Sequence, residues 1–180
     1  IATANPDTMR QHSHLMAIDQ TLHKHNYSIV GLQETRMDTA SGSQGDTKIP
    51  TGGHYTYFYS KCHKGNIAKN SQGGVAIALK NELRNSVMSW EAVNSRIVWL
   101  RIKGQSINMS IISAYAPTEV GEEAEKIEFY ETLNKTMDSF SRRDIVILLG
   151  DMNAELSQRD HMNAPKYVGN EASGKETRNG

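Results

Sequence analysis

Ile29-Val30-Gly31-Leu32-Gln33-Glu34-Thr35-Arg36 decides the reading of this chain, because an unbroken apolar run ends abruptly in polar and charged residues. A short run without alternation fits a strand buried on both faces, and this one carries Glu34 at its carboxyl end. Asp144-Ile145-Val146-Ile147-Leu148-Leu149 repeats the design and stops at Gly150-Asp151-Met152-Asn153. Two acids, Glu34 and Asp151, therefore each follow a strongly apolar strand. If the two strands lie in neighbouring sheets with a common rim, the carboxylates converge on one cleft.

Outward from these strands, Leu15, Ile18 and Leu22 recur at helical spacing between about Arg10 and Tyr27, which predicts a surface helix. Residues 38–53 are rich in Ser, Gly and Thr and read as a loop, and Tyr55, Tyr57 and Tyr59 alternate as a half-exposed strand does. Strand-like runs follow at 74–79, 96–102 and 107–115, the last two joined as a hairpin through Gly104-Gln105. Behind Thr118, acids at Glu119, Glu122, Glu123 and Glu125 precede Ile127, Tyr130, Leu133, Met137 and Phe140 at intervals of three or four. That predicts a helix with acids at its positive end and Arg142 and Arg143 near its negative one. Beyond Leu156 the chain is polar, and no core-forming element is visible.

The chemistry implied is that of a hard cation and a phosphate. Mg²⁺ takes oxygen ligands and keeps several waters, so one carboxylate with an amide or water is a sufficient protein contribution, and Glu34 is the candidate. Asp151 and Asn153, two apart on one extended segment, are expected to face the same side. The acid then orients or deprotonates a water, and the amide donates to a phosphoryl oxygen. Each feature also has a plainer reading: Gly150-Asp151-Met152-Asn153 alone is a turn, Glu34 alone a solvated strand terminus, and Tyr115 a ring closing a sheet. His12 and His14, at i and i+2, do not share a helix face, so with His23 and His25 they read as a solvated surface. Gly73-Gly74 leads into a strand and is no phosphate cradle. Lys61, Lys64 and Lys69, with His63 and Tyr59, form either a grip on a nucleic-acid backbone or an ordinary exposed turn.

Bulk properties set the frame. The 180 residues, 37% hydrophobic, suffice for one core, so a single domain over 1–180 is the expectation. Twenty basic against twenty acidic residues exclude a strongly basic nucleic-acid coat protein. One cysteine, Cys62, excludes an internal disulfide, and no apolar stretch approaches the ~20 residues of a membrane span. The expectation is an intracellular protein, in nucleus or cytoplasm, with no membrane partner.

Residues 29–36, Ser113-Ala114-Tyr115-Ala116-Pro117-Thr118 and Leu149-Gly150-Asp151-Met152-Asn153-Ala154 resemble, in order and spacing, the blocks of the endonuclease/exonuclease/phosphatase (DNase I-like) superfamily. More narrowly, they are similar to non-LTR retrotransposon endonuclease domains and craniofacial-development-protein-2-like proteins. The resemblance covers nearly the whole chain. It implies a two-sheet α/β sandwich flanked by helices, Mg²⁺ or Mn²⁺ as cofactor, DNA as partner, and nicking that leaves a 3′-hydroxyl for reverse transcription. Alternatives on the same scaffold are abasic DNA, RNA or a phosphorylated small molecule as substrate, or a catalytically dead nucleic-acid-binding module.

Residue by residue, the resemblance makes Glu34 the metal-binding glutamate and Asp151 the acid that positions the attacking water. It makes Asn153 the amide on the phosphoryl group, Tyr115 a support of the scissile phosphate, and Thr118 a phosphate contact. Asn5 matches an asparagine that helps hold the metal, a weaker match because Ala4-Asn5-Pro6-Asp7 departs from the usual flanking tryptophan, valine and arginine, with ring packing lost and a proline added. The family's later aspartate and aspartate–histidine pair do not appear by Gly180, and His161 lies only ten positions past Asp151. The expectation is a chain truncated before its C-terminal strands, with sheet edges and apolar faces uncovered.

Overall fold

The computed structural model describes residues 1–39, 43–64, 71–155, 158–163, 166 and 174, with residues 63, 64, 71, 72, 158, 160 and 161 described in backbone only. Strands β1 (Ala2–Ala4), β2 (Ile29–Leu32), β3 (Gly45–Lys48), β4 (Tyr55–Ser60) and β7 (Ala76–Lys80) form one sheet in the order β1-β2-β7-β4-β3. Strands β8 (Val87–Asn94), β9 (Ile97–Ile102), β10 (Met109–Tyr115) and β11 (Ile145–Asp151) form a second, in the order β11-β10-β9-β8. A two-residue pair, β5 (His63–Lys64) with β6 (Ser71–Gln72), completes the strands among the described residues.

Helix α1 (His12–Lys24) covers the first sheet and α2 (Glu123–Asp138) the second. Leu15 and Leu22 pack with Val30, Leu32, Tyr55 and Tyr57 on one outer face, while Phe129 and Leu133 pack with Ile97, Ile112 and Ala114 on the other. Between the sheets lie Ile29, Phe58, Ile77, Leu79, Val98, Leu100 and Ile111. The fold is thus the expected α/β sandwich of two sheets flanked by helices.

Two β-α-β units position the site. In one, β1 and β2 pair in parallel on either side of α1; in the other, β10 and β11 pair in parallel on either side of α2. Parallel neighbours need such a helical crossover, and both strands of each unit then end on the same rim.

The structure corrects several expectations. All six residues of β4 are buried, not half-exposed, because Tyr55, Tyr57 and Tyr59 face α1 while Phe58 faces the second sheet. The 38–53 stretch holds β3, a Gly-Asp-Thr-Lys strand whose conformation comes from pairing with β4 and not from its own propensity. Strand β8, with the 3-10 turn Asn81–Ser86 before it, gave no clear signal because much of it is exposed. On α2 the buried face is Lys126, Phe129, Leu133 and Thr136, whereas the anticipated Ile127 and Met137 are 53% and 37% exposed. Residues 158–163 form a short helix, α3, beyond the last expected element. Strand β11 is an edge, and its Ile145, Val146 and Leu148 are 48%, 37% and 39% exposed.

Among the expected surface features, His23 stacks on His54 with ring centres 3.6 Å apart, and no cluster of metal-ligating His, Cys, Asp or Glu occurs among the described residues. Lys69 lies outside the described residues, as do the side chains of His63, Lys64 and His161. No helix among the described residues is long and apolar enough to cross a membrane.

Candidate active site

Beside the site, the sheets meet where β2 packs against β10 and β11. Gly31 makes this possible: a Cβ on it would stand 2.8 Å from Leu149 Cβ and 3.2 Å from Ser113 Oγ. Beside it, buried Gln33 bridges the layers, since its Oε1 accepts from Thr3 Oγ1 at 3.1 Å and its Nε2 donates to Ser113 Oγ at 3.2 Å. The rims of both β-α-β units are thereby held together at the residues that follow.

Glu34 then leaves the strand in a left-handed conformation, φ 52°, as does Arg36 at φ 51°. Such angles are costly for non-glycine residues and persist when surroundings over-determine them. Here the surroundings are glycines: Gly74, at φ 80°, accepts from Thr35 N–H at 3.0 Å, and Gly73 accepts from Arg36 N–H at 3.1 Å. A Cβ on Gly74 would lie 2.8 Å from Thr35 Oγ1, so Gly73-Gly74 is a clamp for the Glu34 loop.

Both Glu34 oxygens are engaged. Oε1 accepts from Asn5 Nδ2 at 3.0 Å and from Tyr115 O–H at 2.8 Å, and Oε2 accepts from Arg36 Nη2 at 3.0 Å. Burial alone would raise the Glu34 pKa, but hydrogen bonds from Asn5, Tyr115 and Arg36, with the Arg36 charge, outweigh it and hold the carboxyl below its ordinary range. Glu34 is therefore an anion at neutral pH. Tyr115 moves the other way: burial, then the Glu34 hydrogen bond and charge, raise its pKa against a smaller opposing hydrogen bond from Asn153, so it stays a phenol donor.

Asn5 lies beside Glu34. Its Oδ1 accepts from Asp7 N–H at 3.0 Å, a local turn that aims the amide at Glu34 without the usual flanking residues. Asp7 in turn pairs with Arg36 at 2.8 Å.

Asp151 and Asn153 correct the expectation of one extended segment. Strand β11 ends at Asp151, and Asn153 sits at φ 47° with its N–H donating to Asp151 Oδ1 at 2.9 Å. The turn reading holds, and the turn carries the Asn153 side chain toward Tyr115. Its Nδ2 donates to the Ala116 carbonyl at 2.7 Å, and its amide hydrogen-bonds Tyr115. Asp151 reaches the same place through backbone, where Ala116 N–H donates to its carbonyl at 2.9 Å.

Asn5, Glu34, Tyr115, Asp151 and Asn153 thus gather at one rim. Thr118 stands slightly apart, exposed on the loop after Pro117, where it lines a cleft of about 760 Å³ with Glu34, Arg36, Arg96 and Tyr115. One ionised carboxylate, Glu34, with a further acid on the same rim suits a hard cation, whereas Asn5 turns its NH2 to Glu34 and gives its amide oxygen to the Asp7 N–H. Sequence reasoning passed over Arg36, Asp7 and Arg96, whose places at the rim depend on loop geometry that no periodicity encodes.

Residues 10–173 match the Endonuclease/Exonuclease/phosphatase family. The chain is 27% identical over 146 residues to craniofacial development protein 2 of Bos taurus, covering 81% of this chain and 23% of that protein. It thus spans about a quarter of that relative's length. Among solved structures, the human Nocturnin catalytic domain aligns at TM-score 0.60 with 13% identity, over 93% of this chain and 68% of that one. AP endonuclease LMAP of Leishmania major aligns at TM-score 0.56 with 14% identity, over 86% and 55%. The endonuclease domain of TRAS1, a telomere-specific non-LTR retrotransposon, aligns at 0.53 with 15% identity, over 91% and 70%. At these identities the likenesses speak for the fold, and the family match extends it to sequence. The chain belongs to the endonuclease/exonuclease/phosphatase family.

Proposed function

We propose that residues 1–180 act as one domain that hydrolyses a phosphodiester bond in DNA with the help of Mg²⁺ or Mn²⁺. The observation that carries this reading is the Glu34 carboxylate, ionised and held by Asn5, Tyr115 and Arg36, on the rim where β11 delivers Asp151. Glu34 would hold the cation, and Asn5 would join it once its amide oxygen exchanges the Asp7 N–H for the ion. A bound divalent cation supplies charge neutralisation at the phosphoryl oxygens.

The chain's own residues supply the rest. Asp151 orients a water and accepts its proton as the water oxygen bonds to phosphorus. The opposite P–O bond breaks, and the departing oxygen takes a proton from solvent and leaves as the 3′-hydroxyl. Tyr115, a phenol donor already fixed on Glu34, supports the phosphate, and the Asn153 amide donates to a phosphoryl oxygen where negative charge builds. Thr118 offers a further hydroxyl from the cleft. Family membership supports hydrolysis of a phosphate ester, and two of the structural relatives, LMAP and the TRAS1 domain, are endonucleases by name. The same proposal puts its work in nucleus or cytoplasm, the reducing compartments that a single cysteine, Cys62, fits.

Supercoiled-plasmid nicking tests the reading. Nicking that needs Mg²⁺ or Mn²⁺, stops with chelator and is lost in Asp151→Asn is expected. Cation-independent nicking, or full activity in that variant, overturns it. Binding of DNA without turnover moves the assignment to a nucleic-acid-binding module.

A further inference from the structure

The cleft beside Glu34 and Tyr115 has walls of opposite charge. One wall is the tip of the β8–β9 hairpin, Asn94, Ser95 and Arg96; the other is α2, with Glu125 and Glu128. Arg36, in the same lining, is already compensated by Asp7 at 2.8 Å and Glu34 at 3.0 Å. Arg96 differs, since among the described residues no carboxylate lies within 4.0 Å of it.

Its position is nevertheless fixed. The Arg96 N–H donates to Asn94 Oδ1 at 2.8 Å, and its carbonyl accepts from Tyr115 N–H at 2.9 Å. Its Nη1 donates to the Tyr115 carbonyl at 3.3 Å, and its guanidinium carbon lies 5.6 Å from the Tyr115 ring centre. The hairpin tip is tied down as well, because Gly74 N–H donates to the Ser95 carbonyl at 3.0 Å. A guanidinium carries five N–H donors, and one bond engages a single donor, so most remain for a group in the cleft. A half-buried, pre-positioned, uncompensated arginine is suited to bidentate binding of a phosphate.

We infer that Arg96 anchors a second anionic group of the substrate, a phosphate neighbouring the one cleaved, and so selects polynucleotides over isolated phosphodiesters. The inference rests on the phosphodiesterase reading for its site and deepens it to a substrate class. Glu125 and Glu128 repel a phosphate from the α2 wall, so the anchored phosphate enters on the hairpin side. Tyr115 is shared by both tasks: its ring and carbonyl hold Arg96, and its hydroxyl holds Glu34.

Two measurements on the whole chain test it. The first is fluorescence anisotropy of a short labelled DNA duplex without divalent cation, across a NaCl series, for the unaltered protein and Arg96→Ala, Arg96→Gln and Arg96→Lys. Arg96→Ala is expected to weaken binding ~10-fold and to lower the slope of log affinity against log salt by ~1, with Arg96→Lys recovering most of that slope. Arg96→Gln keeps a donor for the Tyr115 carbonyl without the charge, and serves if the alanine variant does not fold. An unchanged slope in a folded, uncharged variant overturns the inference.

The second is hydrolysis of an oligonucleotide beside bis(4-nitrophenyl) phosphate, which has one phosphate only. The uncharged variants are expected to lose ~10-fold more kcat/KM on the oligonucleotide, mostly through KM. Equal losses on both would mean that Arg96 serves only to brace Tyr115, and would overturn the inference. If the unaltered protein hydrolyses neither substrate while the salt slope still responds to Arg96, the phosphodiesterase reading fails and the anion anchor stands.

Discussion

Tyr115 O–H meets Glu34 Oε1 at 2.8 Å although 81 residues separate them in the chain. The bond crosses from the second sheet to the first, so the carboxylate proposed to hold the cation is oriented by the opposite half of the sandwich. Removing only the hydroxyl therefore tests whether that orientation matters. Tyr115→Phe is expected to keep its fold but lose ~10–100-fold in activity or cation affinity, the usual effect of losing a partner that orients a ligand. Nicking rates titrated against Mg²⁺, with a thermal melt as control, decide it; an unchanged titration rules the role out.

Asp151 invites a sharper substitution than alanine, because its Oδ1 also accepts the Asn153 N–H. Asp151→Asn retains that oxygen and so preserves the turn while removing the base. Turnover is expected to fall ~10²–10⁴-fold with KM little altered. Single-turnover cleavage of a labelled duplex separates this from lost binding.

Gly31 is expected to tolerate nothing larger. Its alanine variant would press a methyl group against Leu149 Cβ and Ser113 Oγ, a backbone-mounted clash that neither strand can avoid. Overpacking of this kind costs about 1–3 kcal/mol. Urea denaturation of Gly31→Ala should show that loss as an earlier midpoint with unchanged slope. Activity should drop further than stability alone explains, because Glu34 and Tyr115 are moved apart.

Asp144 sets part of the acid limit of the fold. Hydrogen bonding to Arg101, against an opposing effect of burial and with help from Ser110 and the Arg101 charge, lowers its pKa. A carboxyl whose folded pKa lies below its unfolded value stabilises the protein above the unfolded value, about 3.9, and that contribution fades as pH falls through the folded one. Asp144→Asn is therefore expected to be less stable at neutral pH and to show a shallower fall below about pH 4. Urea midpoints measured from pH 7 down to pH 2 would reveal it; parallel curves would contradict the assignment.

How much of this was legible follows from what kind of signal each part leaves. The rim acids were readable because a buried strand and its charged terminus are adjacent in sequence, as at Leu32-Gln33-Glu34 and Leu149-Gly150-Asp151. Tyr115 and Thr118 stood out only through resemblance, for an isolated ring or hydroxyl has no pattern of its own. Strand β3 was missed because Gly45-Asp46-Thr47-Lys48 is extended through its partner Phe58 and neighbours, not through its composition. The buried face of α2 was misjudged because Lys126 lies there: it is 4% exposed, with Nζ donating to the Glu119 carbonyl at 2.7 Å. A lysine counted as polar moved the inferred stripe by one position. Asn153 was placed on a strand because positive φ at a non-glycine residue leaves no mark in the sequence.

The paired β-α-β arrangement bears on how the centre comes into being during folding. Residues 2–32 and 109–151 are each a locally connected unit, and short-range contacts form earlier than long-range ones. Asn5 lies within the first unit and Glu34 just past its end, Tyr115 and Asp151 lie within the second and Asn153 just past its end, so neither unit carries the whole centre. The centre is then expected to form when the two units dock through the contacts at Gly31, Gln33 and Ser113. Amide exchange should then show two protected blocks, and a lesion at the Gly31 seam would abolish the proposed hydrolysis by undocking them while leaving each block's own hydrogen bonds intact.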